Sequence, residues 1–233
     1  ILISHADKDH IEGVISLLAS KTLEIGLVKL NSDALKGSNL WDDLVYELDL
    51  ANSAKRLKFD VSLTPNDNGN LDFGDIAIEV LAPRPYLAAK GPGATERSGK
   101  KITTNTMSVV IRLLQKKIPI ALLPGDIDDL ALTYLLEDRD KLQASLLIFP
   151  HHGGHSGIGD LSAFAKKIVE NVNPDTVVFS IARNGKWKNP KPEVISGIRN
   201  GKRKVRILCT QLSLYCAASV PKKEATHLAG VVA

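Results

Sequence analysis

Five of the six histidines in the chain fall in two tight clusters, His5 and His10 in SHADKDH and His151, His152 and His155 in PHHGGHSG. Histidines that serve packing or solubility scatter along a chain, so grouping of this kind asks for a chemical reason. Each cluster directly follows an apolar run, Ile1-Leu2-Ile3 in one case and Leu146-Leu147-Ile148-Phe149 in the other. A third run, Ile120-Ala121-Leu122-Leu123, leads into Pro124-Gly125-Asp126. Short apolar runs closed by polar or glycine turns read as strands. Loops at strand ends in layered α/β proteins converge in space, so three groups remote in sequence can meet at one point.

The spacing His-x-Asp-x-Asp-His puts His5, Asp7, Asp9 and His10 on one tight turn. Imidazole suits zinc and other transition ions, whereas carboxylates suit harder ions and can bridge a pair of them. That is more than an N-capping turn needs, although Ser and Asp are ordinary caps. A glycine-rich turn with capping histidines is the plain alternative for HHGGH. Neither alternative accounts for both clusters together with Gly125-Asp126.

Elsewhere the strands first meander and later alternate with helices, the pattern of sheets covered by helices. Apolar spacing predicts a helix beginning near His10, a short strand in LVKL, a helix over 40–54 and a strand in KFDVSL. After a turn cluster at 65–70, strands are expected at 76–81, 107–114 and 118–123, the last two joined by a hairpin turn. Helices at 128–136, 161–171 and 192–199 then alternate with strands at 146–149, 176–181 and 205–208. Residues 90–104 (KGPGATERSGKKITT) lack periodicity and read as a mobile basic loop.

No apolar run approaches the roughly 20 residues that cross a bilayer. Cys209 and Cys216 are too few for a disulfide framework and read as partly buried thiols in a reducing cytoplasm. The net charge of +4 permits an anionic partner without demanding one. Basic residues do crowd one region, from Lys186, Lys188 and Lys191 to Arg199, Lys202, Arg203, Lys204 and Arg206. Ile1 opens on a strand already in progress, so the numbering is expected to begin inside a single domain, residues 1–233, of a longer chain.

SHADKDHIEG resembles the signature turn of the metallo-β-lactamase superfamily, in the His-x-Asp-x-Asp-His variant of the ComEC-type competence nuclease branch. GDIAIEVLAPRP, NTMSVVIRL, LLPGDID, LLIFPHHGGHSG and VVFSIARNGKWKNPKPEVI follow in the family's order, covering most of the chain; residues 26–64 are the least distinctive. The resemblance implies an α/β fold of the αββα kind, two mixed β-sheets packed face to face with helices outside, its first strands lying upstream of Ile1. It implies a bacterial cytoplasmic hydrolase of nucleic-acid phosphodiesters, DNA foremost, using two divalent ions (manganese, zinc or magnesium). Similar domains belong to DNA-uptake channels and to anti-phage effectors.

Carried over by the resemblance, His5 and Asp7 hold one ion, Asp9 and His10 the second, Asp126 bridges both, and His151 completes the second. Asp9 or Asp126 would hold the attacking hydroxide, and His152 or a metal-bound water would protonate the leaving oxygen. Asn105, Ser108, Ser156, Asn184 and Lys186 fall to the substrate. Two departures matter. The neighbourhood before Val109 offers Asn105, Thr106 and Ser108 where most members have a further histidine, which leaves the first ion oxygen-rich and open. Asn189 stands before Pro190 where related nucleases often have a histidine. The competing readings are a hydrolase of a small phosphodiester or phosphorylcholine-like ester, and a metal-stabilised regulatory domain without turnover.

Overall fold

A computed structural model of the chain describes residues 1–20, 22–155, 157–182, 186–211 and 230–231. Cys216 and His227 lie outside the described residues. Two sheets are present among them. The smaller pairs β1 (Leu27–Lys29) with β2 (Lys58–Asp60) in parallel, and Leu2 joins its edge through a single bridge to Lys29. The opening run is therefore an edge segment rather than a full strand. Lys29 braces this corner: its buried ammonium meets Asp60 and Asp67 at 2.6 Å each, so a charge drawn from water finds two counter-charges.

The larger sheet has seven strands in chain order: β3 (Ile76–Ala82), β4 (Val110–Gln115), β5 (Ile118–Leu123), β6 (Leu146–Ile148), β7 (Thr176–Phe179), β8 (Arg206–Cys209) and β9 (Gly230–Val231). β3, β4 and β5 are antiparallel hairpin neighbours, β5 to β8 run parallel, and β9 is antiparallel. The meander-then-alternation pattern anticipates this order, since parallel strands need helical crossovers. The fold is mixed α/β. Among the described residues the second sheet is two parallel strands.

Two apolar cores follow the two sheets. Helices α4 (Asp129–Leu135), α5 (Leu161–Val172) and α6 (Pro192–Arg199) pack with β5 to β8 around Leu122, Leu147, Ile168 and Val177. Helices α1 (Lys8–Leu18) and α2 (Asn39–Ser53) cover the small sheet through Ile11, Val28, Leu44 and Leu48. Leu63, Val80 and Val109, with Leu2 packed against them, form a separate smaller cluster. Gly197 lets α5 and α6 close up, because a Cβ there would collide with the Ser162 carbonyl.

Three local expectations need correction. The strand expected from Met107 starts at Val110, because Thr103 to Ser108 close a tight turn (Met107 N to Thr103 O 3.2 Å, Ser108 N to Asn105 O 3.1 Å) fastened to Asp128. Between the strands expected at 76–81 and 107–114 no helix is expected, yet Pro85 opens a short one, α3 (Pro85–Lys90). The loop 90–104 is pinned rather than loose: Gly93 N and Ile102 N bond to Ile102 O and Ala94 O, and Glu96 is buried. Tyr134 donates to Glu96 at 2.9 Å, and the Ser98 hydroxyl and amide hold that carboxyl down at about 2.

Candidate metal centre

Three turns build the centre, and each leaves the end of an apolar run. The first carries Ser4, His5, Asp7, Asp9 and His10 into α1. Asp7 sits at the N-cap position of α1, yet its side chain caps nothing. Its carboxyl instead faces His5 Nε2 at 3.5 Å and pairs with Lys36. The second turn is Gly125-Asp126. Gly125 has φ +59, and a Cβ there would crowd Ser108 and Ser4 at 3.1 and 3.3 Å, which favours glycine where two other segments approach. The third is the His-His-Gly turn, where His151 and His152 both adopt left-handed backbone, φ 50 and 55. Strain at two successive non-glycine residues survives where the surroundings fix it, and such positions gather at functional sites. His151 N reaches Gly125 O at 3.3 Å, and Gly153 packs on Phe179 and Pro190 where a Cβ would meet them at 2.6 and 2.7 Å.

Asp126 is the hub. It is buried, and its carboxyl lies 2.6 Å from His151 Nδ1, 3.4 Å from His10 Nε2 and 3.8 Å from His5 Nε2. Its amide donates to Ser108 Oγ at 3.1 Å, so Ser108, fully buried, lies beneath the hub rather than at an open surface. Ser4 Oγ stands 3.0 Å from Nδ1 of both His5 and His10. A hydroxyl oxygen has two lone pairs and can accept both Nδ1–H groups, which leaves both Nε2 lone pairs pointing inward. Among the described residues those two Nε2 atoms are buried and lack a hydrogen-bond partner. Buried imidazole nitrogens seldom go unmatched, and a ring nitrogen tied from behind with its other lone pair free is the arrangement of a metal ligand.

The donor chemistry fits a divalent ion. His5, His10 and Asp126 present ligand atoms within 4.8 Å of one another, and so do Asp9, His10 and His152. His10 belongs to both groups, and its Nδ1 is turned to Ser4, so its Nε2 serves one group at a time. His152 reaches Asp9 through Nε2 at 3.1 Å and the Ser180 carbonyl through Nδ1 at 2.6 Å. The electrostatics follow. Burial alone would raise the Asp126 carboxyl, but His10 and His151 outweigh it and hold it well below the usual carboxylate range. Asp7 is lowered as well, through His5 first, with Lys36 assisting and burial opposing. Burial pushes His10 down, yet Asp126, Asp9 and Asp7 prevail and raise it; His151 is raised chiefly by its bond to Asp126.

The structure thus brings His5, Asp7, Asp9, His10, Asp126, His151 and His152 to one place. Asn105 keeps a buried Oδ1 without a hydrogen-bond partner among the described residues. Lys186 is exposed, 4.4 Å from the Trp187 ring centroid. His155 is exposed, and Ser156 and Asn184 lie outside the described residues. Sequence reasoning missed Lys36 and the orienting role of Ser4. A lone lysine in the polar stretch before α2 carries no signal, whereas Ser4 abuts the motif and its hydroxyl could have been asked where it points.

No family model matches the sequence, and no curated protein matches it either. Among solved structures, a metallo hydrolase from the hyperthermophilic archaeon Ignicoccus hospitalis is similar at TM-score 0.45 and 14% identity, over 83% of this chain and 65% of that one. The chain therefore spans just under two thirds of that protein's length. A likeness at that level leaves the centre to be judged on its own side chains.

Proposed function

We propose that the chain is a metal-dependent hydrolase of phosphodiesters, DNA foremost, forming one metallo-β-lactamase domain of the αββα kind in the ComEC-like branch. The observation that carries the reading is the meeting of His5, His10, Asp126 and His151 from three separate turns, with two buried imidazole nitrogens facing one carboxylate. Bound there, a divalent ion such as manganese or zinc supplies Lewis acidity and a water acidic enough to attack near neutral pH. His5, His10 and Asp126 would hold it, and His151 would either join them or fix the Asp126 carboxyl by its hydrogen bond. His152 is the acid in this reading. Its Nδ1 lies 2.6 Å from Ser180 O and its Nε2 3.1 Å from Asp9, which holds the ring at the edge of the centre, within reach of a leaving oxygen. Exposed Lys186, over the Trp187 ring, offers a cation and an aromatic face to a phosphate backbone. No helix among the described residues is long and apolar enough to cross a membrane.

The test strips the protein with a chelator, restores manganese or zinc, and offers single-stranded DNA, duplex DNA, RNA and a chromogenic bis-phosphodiester. Metal-dependent cleavage of DNA that disappears in Asp126→Ala is the expected result. Cleavage of the small ester alone moves the assignment to a small-molecule phosphodiesterase. A protein that binds the ions and cleaves none of the four is a regulatory domain.

A further inference from the structure

We propose that the centre holds one tightly bound divalent ion, and that the Lys36 ammonium stands in the place of a second. The inference deepens the metal-hydrolase reading and rests on it. Its starting point is the Asp7 carboxyl, which the resemblance gives to one of two ions and which belongs to neither cluster of converging ligand atoms among the described residues. One oxygen, Oδ2, lies 3.5 Å from His5 Nε2, and the other, Oδ1, is taken by Lys36 Nζ. Both side chains are about a quarter exposed, 27% for Lys36 and 28% for Asp7, so the pair lies at the mouth of the centre, half shielded from water.

Lys36 is held there by its loop. Asp33 is buried, accepts the Leu35 amide at 3.1 Å and the Thr104 hydroxyl at 2.6 Å, and its carbonyl receives the Lys36 amide at 3.2 Å. The loop before α2 is thereby fastened to the turn at 103–108, and the lysine is directed by a buried carboxylate rather than left to wander as a surface side chain.

The hydroxyls of the turn at 103–108 are oriented by protein partners, although a donating hydroxyl keeps its acceptor lone pairs. Thr104 Oγ1 donates to Asp33, Thr103 and Thr106 hydroxyls both donate to Asp128 (2.8 and 2.6 Å), and Ser108 Oγ receives the Asp126 amide. Asn105 Oδ1 alone of this turn's side-chain oxygens is without a hydrogen-bond partner among the described residues. While the ammonium holds Asp7 Oδ1, the outer position lacks the free carboxylate oxygen by which a divalent ion that keeps most of its waters would be held, and removing the ammonium releases it. The inner group, by contrast, has two oriented imidazoles and a carboxylate. An ammonium also does part of what an outer ion does, because it neutralises the carboxylate and offers donors to a phosphate oxygen.

Manganese stoichiometry decides the matter. Stripped protein is titrated with Mn2+ by calorimetry, and the bound ion is read by electron paramagnetic resonance. Wild type is expected to bind one ion with the spectrum of isolated manganese. Lys36→Met is expected to bind two and to show an exchange-coupled pair, and Lys36→Arg, which restores the charge, returns to one. Circular dichroism confirms that each variant is folded. Wild type that binds two ions, or Lys36→Met that stays at one, overturns the assignment of Lys36 and leaves the hydrolase reading standing. Wild type that binds none overturns both.

Discussion

His151 Nδ1 donates to Asp126 Oδ2 at 2.6 Å, across a separation of 25 residues. That bond joins the Gly-Asp turn after β5 to the His-His-Gly turn after β6, and the parallel pairing of those two strands sets the two turns side by side. Asp126 is thus at once the charge that three imidazoles face and the pin between two loops.

Replacing Asp126 by Ala removes both functions. Outer-shell changes at metal sites cost roughly 10–100-fold in affinity or activity, and loss of the hub is expected to exceed that in manganese affinity by calorimetry and in single-turnover cleavage. Asp126→Asn, which keeps the shape and one acceptor oxygen, should retain the fold while losing most of the affinity. Unchanged binding in both variants would remove Asp126 from the centre.

Ser4→Ala tests the orienting role of a residue that touches no ion. Its hydroxyl lies 3.0 Å from Nδ1 of both His5 and His10, and its loss frees both rings to tilt. Metal affinity is expected to fall by about 10–100-fold, with stability reduced by about 1 kcal/mol for each net hydrogen bond lost. Ser4→Thr keeps the hydroxyl and should recover much of the affinity. An alanine variant that binds manganese like wild type would show that the rings are fixed by packing alone.

Much of the centre was legible in the sequence because ligand-type side chains follow apolar strand runs, and the period of those runs places the turns at strand ends. Helix α6 was readable to its limits: Pro192 starts it with no amide to lose, and Val194 and Ile198 fall on one buried face. Other features lie beyond such signals. α3 is six residues long and opens at a proline, so no apolar period could develop. The turn before β4 looks like strand because Met107 and Val109 are apolar, yet Thr106 and Ser108 are drawn inward by Asp128 and Asp126. Lys36 acquires its meaning from Asp7, 29 residues away, a pairing that only the folded chain creates.

Protonation should oppose metal binding in a predictable direction. In the metal-free protein His10 and His151 are raised, so their contribution to stability is complete below about pH 6.5, the unfolded value, and is lost as pH rises through the raised folded values. Asp126 and Asp7 are depressed; their contribution is present above about pH 4 and is lost as pH falls toward the folded values. The melting temperature of chelated protein is therefore expected to peak at mildly acidic pH and to decline toward about pH 8. Manganese must displace the imidazole protons, so the rise in melting temperature that it confers should grow over the same interval. A metal-induced rise that shrinks between about pH 6 and 8 would contradict ligation by these histidines.

Gly197→Ala separates packing from chemistry. Glycine within a helix is ordinarily less stable than alanine by roughly 0.5–1 kcal/mol, so on propensity alone the substitution should stabilise α6. The Cβ, however, would run into the backbone carbonyl of Ser162 on α5, an atom with no rotamer by which to escape. Forcing the two helices apart is expected to cost about 1–3 kcal/mol, which outweighs the gain, and the protein should unfold at lower denaturant concentration with an unchanged slope. Gly197→Ser should be worse, since it adds a hydroxyl to the same collision. A stabilised alanine variant would mean that α5 and α6 sit farther apart than the carbonyl contact implies.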